Sequence, residues 1–463
     1  MPSQGSSRRR RSEDRGDGDG VDRLSGLPEE LLLQILGRLG SVHAAVRTSV
    51  LSSRWRGLWT GLQELTFRGV AVHSVKAALA KLAGPALNLL EVGVEERVSP
   101  RRVSSLLRAA ARVAPKNLTV TGVVDYYETG GTGTANLPCL DRTASLKIDM
   151  WEMAFAPPPA GEFVALTDLC LVWCRVDPAA LLPLCPHLRV LVLKKCCAEK
   201  EVIIHSQSLE ELELEEYSWE NIDIMAPVLK KVKLELSLCD EVNVSFSSPM
   251  VEHSDWELVY EDLCVVFGEL WRMETVSELL VQGQRPLVRI DLCAKDPDTL
   301  DQEWSFEQAI AQFRMPNLYV LELVVTADGH VFGPMLLHLL QIRPAMQRLD
   351  IFIEEEQNTC SINCPCKQPD NWVSESVTLT DLQVVEIGGL TGRDHELDFI
   401  KLLFRSATVL RRMIVRLSDG VSPDKSRIKK ICCIFKEYPN VKCDVYCNGK
   451  KWAMVQQRAK LLG

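Results

Sequence analysis

Residues 166–174, LTDLCLVWC, carry Leu166, Leu169 and Leu171 in a distinctive spacing: apolar, two residues, apolar, one residue, apolar. The same spacing returns in 188–196 (LRVLVLKKC), 209–217 (LEELELEEY) and 229–236 (LKKVKLEL), with starts 22, 21 and 20 residues apart. The last two residues of each triplet alternate along a strand, so both point to one face. Towards the N-terminus, Leu62, Leu65 and Phe67 and then Leu87, Leu90 and Val92 follow the pattern, with partial copies at Leu118, Val120 and at Leu146, Ile148. Towards the C-terminus it reappears at Leu287, Ile290, Leu292; Leu318, Leu321, Leu323; Met346, Leu349, Ile351; Leu382, Val385, Ile387; and Leu410, Met413, Val415.

A period of 20–29 residues on this triplet is the leucine-rich-repeat signature. It predicts one strand of a parallel sheet per repeat, with a helical or irregular return. No repeat buries its apolar face alone, and stacking builds the core. The expected fold class is α/β: an N-terminal three-helix unit, then a curved solenoid of parallel strands. Cys174 and Cys196 each follow their triplet by three residues and read as buried turn residues. Returns over 100–113, 332–342 and 395–406 have helical spacing, whereas 176–187 is short and Pro-rich. The triplet is lost from 235 to 286, where Trp256, Leu258 and Val259 and the helix-like spacing of Leu270, Met273, Val276 and Leu279 still predict ordered structure. Residues between triplet positions are the candidate exposed contacts. Among these, Glu210, Glu211 and Glu213 read as a solvated acidic face.

Ahead of the repeats, residues 22–59 read DRLSGLPEELLLQILGRLGSVHAAVRTSVLSSRWRGLW. Pro28 suits the first helical position. Glu29 and Glu30 fall where the helix dipole favours negative charge. Leu32, Ile35, Leu36 and Leu39 mark one buried face, and Gly40 a stop. Leu31 and Leu33 lie off that face. Ala44, Ala45 and Val46 open a second helix towards Val50 and Leu51, and Ser52 or Ser53 can cap a turn leading to Trp55, Leu58 and Trp59. A unit this short cannot hide all these side chains by itself. Either later parts of the chain cover them or another protein does.

The segment resembles the plant F-box. The match rests on Leu27-Pro28, the leucine-rich helix, Ala45 to Ser52, and Arg54-Trp55-Arg56-Gly57-Leu58-Trp59; His43 departs from the short residue common at its position. The resemblance implies binding to a Skp-type adaptor and, through it, to the cullin and RING subunits of a ubiquitin ligase. On that basis Leu27, Pro28, Leu31, Leu32, Ile35, Leu36, Leu39, Val46, Val50, Leu51, Trp55 and Trp59 are the candidate core and adaptor interface. A second resemblance covers about 350–447, which is similar to the FBD region of plant F-box proteins. It rests on Cys360, Cys364-Pro365-Cys366, Pro369, Asn371-Trp372, Leu382 to Gly388, Gly392, His395-Glu396, Phe399-Ile400, Leu402-Leu403 and Tyr438 to Val441. The implied plan is a disordered tail (1–21), an F-box (22–61), a repeat array (62–349), an FBD region continuing it (350–447) and a C-terminal tail (448–463).

Composition agrees with a folded protein: 46% hydrophobic and 25% charged residues in 463, with a net charge of −9. That charge argues against nucleic-acid or anionic-membrane binding by the body. No apolar run is long enough for a membrane span, and no signal-peptide core is present. The sixteen cysteines are therefore expected as thiols in the nucleus or cytoplasm. The tail's Arg8 to Arg11 is offset by nearby acids. Cys360, Cys364 and Cys366 offer three thiolates, with Cys443, Cys447 or His395 as a conceivable fourth zinc ligand. The spacing is not a standard zinc knuckle, so it reads as a loop of thiols and no metal or cofactor is assigned. His395-Glu396 lacks the second histidine of a zinc-protease helix, Phe399 standing there. Gly130, Gly131 and Gly133 lack the lysine of a phosphate loop. No nucleophile–base–oxyanion set emerges, so no catalytic residue is assigned. The expected role is a non-catalytic substrate receptor that binds an adaptor through 22–61 and an unidentified target protein through the repeats. A non-degradative scaffold or a ligand receptor is the alternative.

Overall fold

The computed structural model describes residues 26–455, apart from 83–86, 125–132, 197–199, 217–218, 238–242, 260–263, 268–269, 281–286, 295–302, 306–318, 343–344, 355–359, 361–363, 369–370, 419–424 and 448–449. The tail with Arg8 to Arg11, Gly130 and Gly131, Leu318 and Pro369 lie outside the described residues.

A large, mostly parallel sheet dominates the molecule. Its first row of strands is Glu64–Arg68, Leu89–Val98, Asn117–Val124, Ser145–Ala156, Asp168–Arg175, Val190–Lys194, Glu211–Glu216 and Lys231–Ser237. Their register explains the sequence period. Leu65 pairs with Leu90, Leu90 with Leu118, Leu118 with Leu146, Leu146 with Leu169, Leu169 with Leu191, Leu191 with Leu212 and Leu212 with Val232. Each middle triplet residue thus stacks on the next in one buried file. A second file, two residues on, runs from Phe67 through Val92, Val120, Ile148, Leu171, Leu193 and Leu214 to Leu234. Slipping one strand by one residue would turn its apolar set to solvent, which fixes the register.

Where the triplet fades, the topology changes. His253–Val259 still pairs parallel with Lys231–Ser237. Trp271–Leu280 then runs antiparallel to both His253–Val259 and Leu287–Ala294. The helix-like spacing of Leu270, Met273, Val276 and Leu279 therefore belongs to a strand. A register shift between Met273 and Thr275 puts Met273 and Val276 on the same buried side three residues apart. A bulge in a strand can imitate helical periodicity in this way.

Parallel order resumes with Leu287–Ala294, Val320–Thr326, Arg348–Glu354, Val384–Leu390, Arg412–Leu417 and Lys442–Cys447. Lys450–Val455, assigned to the tail on sequence, forms a closing antiparallel strand.

The returns differ along the sheet. Pro100–Val113 is a helix with Pro100 at its first turn and Val103, Leu106, Leu107 and Ala110 buried. Gly333–Ile342 and Asp394–Ser406 are helices as their spacing predicts. Lys425–Glu437 is a further helix, with Ile428, Ile431, Ile434 and Phe435 buried. Between 201 and 247 the returns are themselves strands. Glu201–His205, Asn221–Met225 and Asn243–Ser247 form a second parallel sheet, with Ile204 paired to Ile224 and Ile224 to Phe246. Their alternating sequences, EVIIH and NIDIM, carried that signal. One continuous apolar cluster extends from Leu32 to Cys447. Among the described residues, no helix is long and apolar enough to cross a membrane.

Candidate functional site

The N-terminal unit begins with α1 (Glu29–Gly37). Pro28 sits one residue before the helix, and its carbonyl accepts the amides of Leu31 and Leu32. The next helix, α2 (Val42–Arg47), is capped by the Ser41 hydroxyl, which accepts the Ala44 amide at 3.2 Å. His43 therefore lies inside the helix and weakens no cap. In place of a third α-helix come three short 3₁₀ turns, Thr48–Val50, Ser53–Trp55 and Leu58–Gly61. Gly57, at φ 75°, makes the reversal between the last two. The Arg54 guanidinium donates to the Leu27 carbonyl and ties the second turn back to the start of α1.

The twelve candidate residues divide clearly. Leu32, Leu36, Trp55 and Trp59 are buried, together with Val42, Ala45 and Leu58. α1 packs against the last 3₁₀ turn, and α2 against the first strand of the sheet. Trp55 and Trp59 thus lie inside the unit, on turns that pack against each other, the last of them also against α1. Leu27 and Ile35 are half-buried, and Pro28 is exposed. Leu31, Leu39 and Val46 are exposed, Val50 is 87% exposed and Leu51 63%. These last five side chains expose apolar area on the helical unit, where Arg38, His43 and Arg47 are also exposed. Uncovered patches of this kind mark interaction sites.

In the last third of the chain, the helix Asp394–Ser406 starts with a polar knot. The Glu396 carboxylate is buried. It accepts the backbone amides of Thr391, Gly392 and Arg393 and the Thr391 hydroxyl at 2.6–3.2 Å. This satisfies amides orphaned at a helix start, so Glu396 is a structural cap. His395 packs its ring edge-on to Phe332, with centroids 5.3 Å apart.

Two family models match the chain: F-box domain over residues 24–66 and FBD over residues 378–415. The chain carries an F-box and an FBD. A putative FBD-associated F-box protein of Arabidopsis thaliana is 27% identical over 423 residues, covering 85% of this chain and 86% of that one. F-box/LRR-repeat protein 25 of Arabidopsis thaliana is 25% identical over 233 residues, 46% of this chain and 85% of its own. An F-box/FBD/LRR-repeat protein of the same organism is 59% identical, but only over 46 residues, 10% of each chain.

Between the F-box and the FBD, the exposed sheet positions carry ladders of opposite charge. Glu210 sits between Arg189 at 2.9 Å and Lys230 at 3.0 Å. Hydrogen bonds from these two bases pull its carboxyl down to about 2. Glu211 pairs with Lys231 at 2.7 Å and Glu213 with Lys194 at 2.8 Å. The acidic run is thus neutralised by its neighbouring strands. Farther along, Arg289, Glu322, Arg348, Asp350, Glu386 and Arg416 line an open cleft of about 500 Å³ beside the half-exposed ring of Phe352. At the ends of the earlier strands, Trp151 stacks on Trp173 at 5.4 Å, and the Lys195 ammonium lies over Trp173 at 5.0 Å. Trp173 and Lys195 both have positive φ, which turns the chain so that the next residue, Cys174 or Cys196, enters the core. Their thiols donate to the carbonyls of Val172 and Leu171 at 3.1 and 3.2 Å, as the turn reading expects. The aromatic stack was hidden in sequence by a register shift between Asp149 and Met153, which sets Trp151 and Trp173 at different offsets from the paired Leu146 and Leu169.

Immediately before the matched FBD segment, Cys360, Cys364 and Cys366 are thiols, as read from sequence, and the structure adds a fourth group to them. Their sulfurs converge with a ring nitrogen of His330, all four ligand atoms lying within 4.8 Å of one another. His395 faces Phe332 instead, while Cys443 and Cys447 sit on the strand Lys442–Cys447 and are not in the group. Sequence reasoning missed His330 because it lies 30 residues upstream, beyond an intervening strand.

Proposed function

We propose that this F-box protein is the substrate-recognition subunit of a Skp–cullin–F-box ubiquitin ligase. The F-box grips a Skp-type adaptor, and the strand array grips a target protein. The bonds are made by other subunits, and this chain contributes proximity, raising the effective concentration of target lysines near the charged ubiquitin. In this reading residues 62–349 form a leucine-rich-repeat solenoid, 350–447 continue it, and the ion-pair ladders and the Trp151–Trp173 stack belong to the target-facing surface.

The observation that carries the reading is the outward-facing set of Leu31, Leu39, Val46, Val50 and Leu51 on a segment matched as an F-box. Fully burying each such side chain is worth roughly 1.5–3 kcal/mol, and the fold itself does not collect that stabilisation. The in-register apolar files support the repeat reading. Co-purification with a Skp-type adaptor tests the proposal. Val50→Asp with Leu51→Asp is expected to weaken adaptor capture at least about tenfold without changing the circular dichroism. Undiminished capture would remove this surface from the adaptor interface. Leu32 is a poor test residue, because its buried position makes any substitution a test of folding.

A further inference from the structure

We propose that His330, Cys360, Cys364 and Cys366 hold one structural zinc ion that locks the loop ahead of the FBD onto the sheet.

The ligand set is of the Cys₃His kind that closed tetrahedral zinc sites use. Zinc–sulfur bonds of about 2.3 Å and zinc–nitrogen bonds of about 2.0–2.1 Å place ligand atoms about 3.5–3.8 Å apart around a tetrahedron. Here the Cys360 and Cys366 sulfurs are 3.5 Å apart, and Cys364 Sγ is 3.2 Å from His330 Nδ1. Moving the atoms apart by a few tenths of an ångström on these two edges makes room for the ion.

Each ligand is delivered by a defined piece of backbone. The strand Val320–Thr326 ends in a tight reversal, with Asp328 at φ 48°, Gly329 at φ 82° and the His330 amide bonded to the Ala327 carbonyl at 2.8 Å. That reversal presents the His330 ring to the loop. Cys364 and Cys366 flank Pro365, which opens the 3₁₀ turn Pro365–Lys367 and brings both thiols to one side. Both are buried, whereas Cys360 and His330 are half-buried, leaving an entry path for the ion. The Val331 backbone hydrogen-bonds to the Cys366 sulfur, a contact that suits a thiolate. Lys367 lies near enough to Cys360 to offset the net negative charge of a zinc ion with three thiolates.

The surroundings show what the ion would hold. The helix Gly333–Ile342 packs against the Pro365–Lys367 turn and against Trp372–Ser374. A Cβ on Gly333 would lie 2.4 Å from the Trp372 ring, so the loop already sits hard against the start of that helix. A zinc ion joins the two sides covalently. It would brace the connection between the strands Arg348–Glu354 and Val384–Leu390.

The test uses the full-length chain purified without chelator. Elemental analysis is expected to give about one zinc per chain. X-ray absorption of the same sample should show three sulfurs and one nitrogen in the first shell, and it reads the ligands without any variant. Cobalt exchanged for zinc should give the intense thiolate charge-transfer band of a tetrahedral site. Cys364→Ser and, separately, His330→Ala should lower bound zinc at least about fivefold, while Cys185→Ser, at a thiol outside the group, retains it. Any of three results would overturn the proposal: wild-type protein without zinc and without a tetrahedral cobalt spectrum, a first shell without three sulfurs, or a native Cys360–Cys366 disulfide in non-reducing mass spectrometry.

Discussion

Between Leu27 and Leu62, large apolar side chains face outwards, and the polar ties that hold the unit together lie near its surface. From Val320 to Val455 the arrangement is inverted. Apolar residues fill the interior, and buried carboxylates tie the elements together, chiefly Glu396 at the start of the helix Asp394–Ser406 and Asp444 between Arg412 and Lys451 of the neighbouring strands. The two regions have similar apolar content but use it differently. The F-box withholds apolar area from its own core, so it gains by being covered. The C-terminal part spends its apolar area internally, and its special residues are there to hold shape. Substitutions should separate the two regions in the same way.

The largest effect is expected at Gly389, in the strand that opens the FBD. Its φ is 82°, and a Cβ there would stand 1.9 Å from the Ile353 carbonyl oxygen on the neighbouring strand. Both the backbone conformation and the close approach require glycine. Gly389→Ala should destabilise the protein by at least about 3 kcal/mol, read as a lower denaturation midpoint or as insoluble protein. A variant with unchanged midpoint would mean that the two strands do not approach this closely, and would weaken the contrast with the F-box.

Asp444 should give the next effect, and one that depends on pH. It is buried between Arg412 at 3.3 Å and Lys451 at 2.7 Å. Burial pushes its carboxyl up, but the hydrogen bonds from Lys451 and Arg412 outweigh it and hold the group below the usual carboxylate range. A folded value below the unfolded value of about 3.9 means that the carboxylate contributes stability above that pH. The contribution fades as pH falls towards and through the folded value. Asp444→Asn should therefore cost about 1–3 kcal/mol at neutral pH, with the gap to the parent closing below about pH 4. Urea midpoints measured from pH 7 to pH 3 check this. A gap that stays constant across that range would show that shape, and not charge, is what Asp444 supplies.

How far these features were readable in the sequence follows from their length scale. The triplet of Leu166, Leu169 and Leu171 predicts both the strand and its stacking, because register in a parallel ladder reproduces sequence period directly. Helices such as Pro100–Val113 carry their own start signal and spacing. Met273 and Val276 misled because a bulge gave a strand the periodicity of a helix. In the F-box, apolar content was legible, and its division only in part. The helical spacing sets Leu32 and Leu36 on the buried face and Leu31 off it, as found, but it also sets Leu39 on that face, and Leu39 lies beyond the end of α1 and is exposed. His330 was invisible because it meets the cysteines from a distant part of the chain, which no local pattern records, and the Trp151–Trp173 stack because a register shift between Asp149 and Met153 breaks the period there.

The smallest effect on stability is expected where the functional effect is largest. Val50 and Leu51 sit on the 3₁₀ turn after α2, 87% and 63% exposed, so the folded and unfolded states leave them in nearly the same surroundings. Replacing both with serine removes apolar area that the isolated fold never buries. The change in unfolding free energy should then stay within about 0.5 kcal/mol, and a slight gain in solubility is expected because an uncovered patch has shrunk. Thermal and urea unfolding of the parent and of the double variant, both without adaptor, measure it. A loss above about 1.5 kcal/mol, the lower end for burying one large side chain, would mean that the isolated protein already covers these residues with its own chain. The outward-facing character of the F-box, and with it the contrast to the buried polar ties of the C-terminal part, would then fail at its most exposed point.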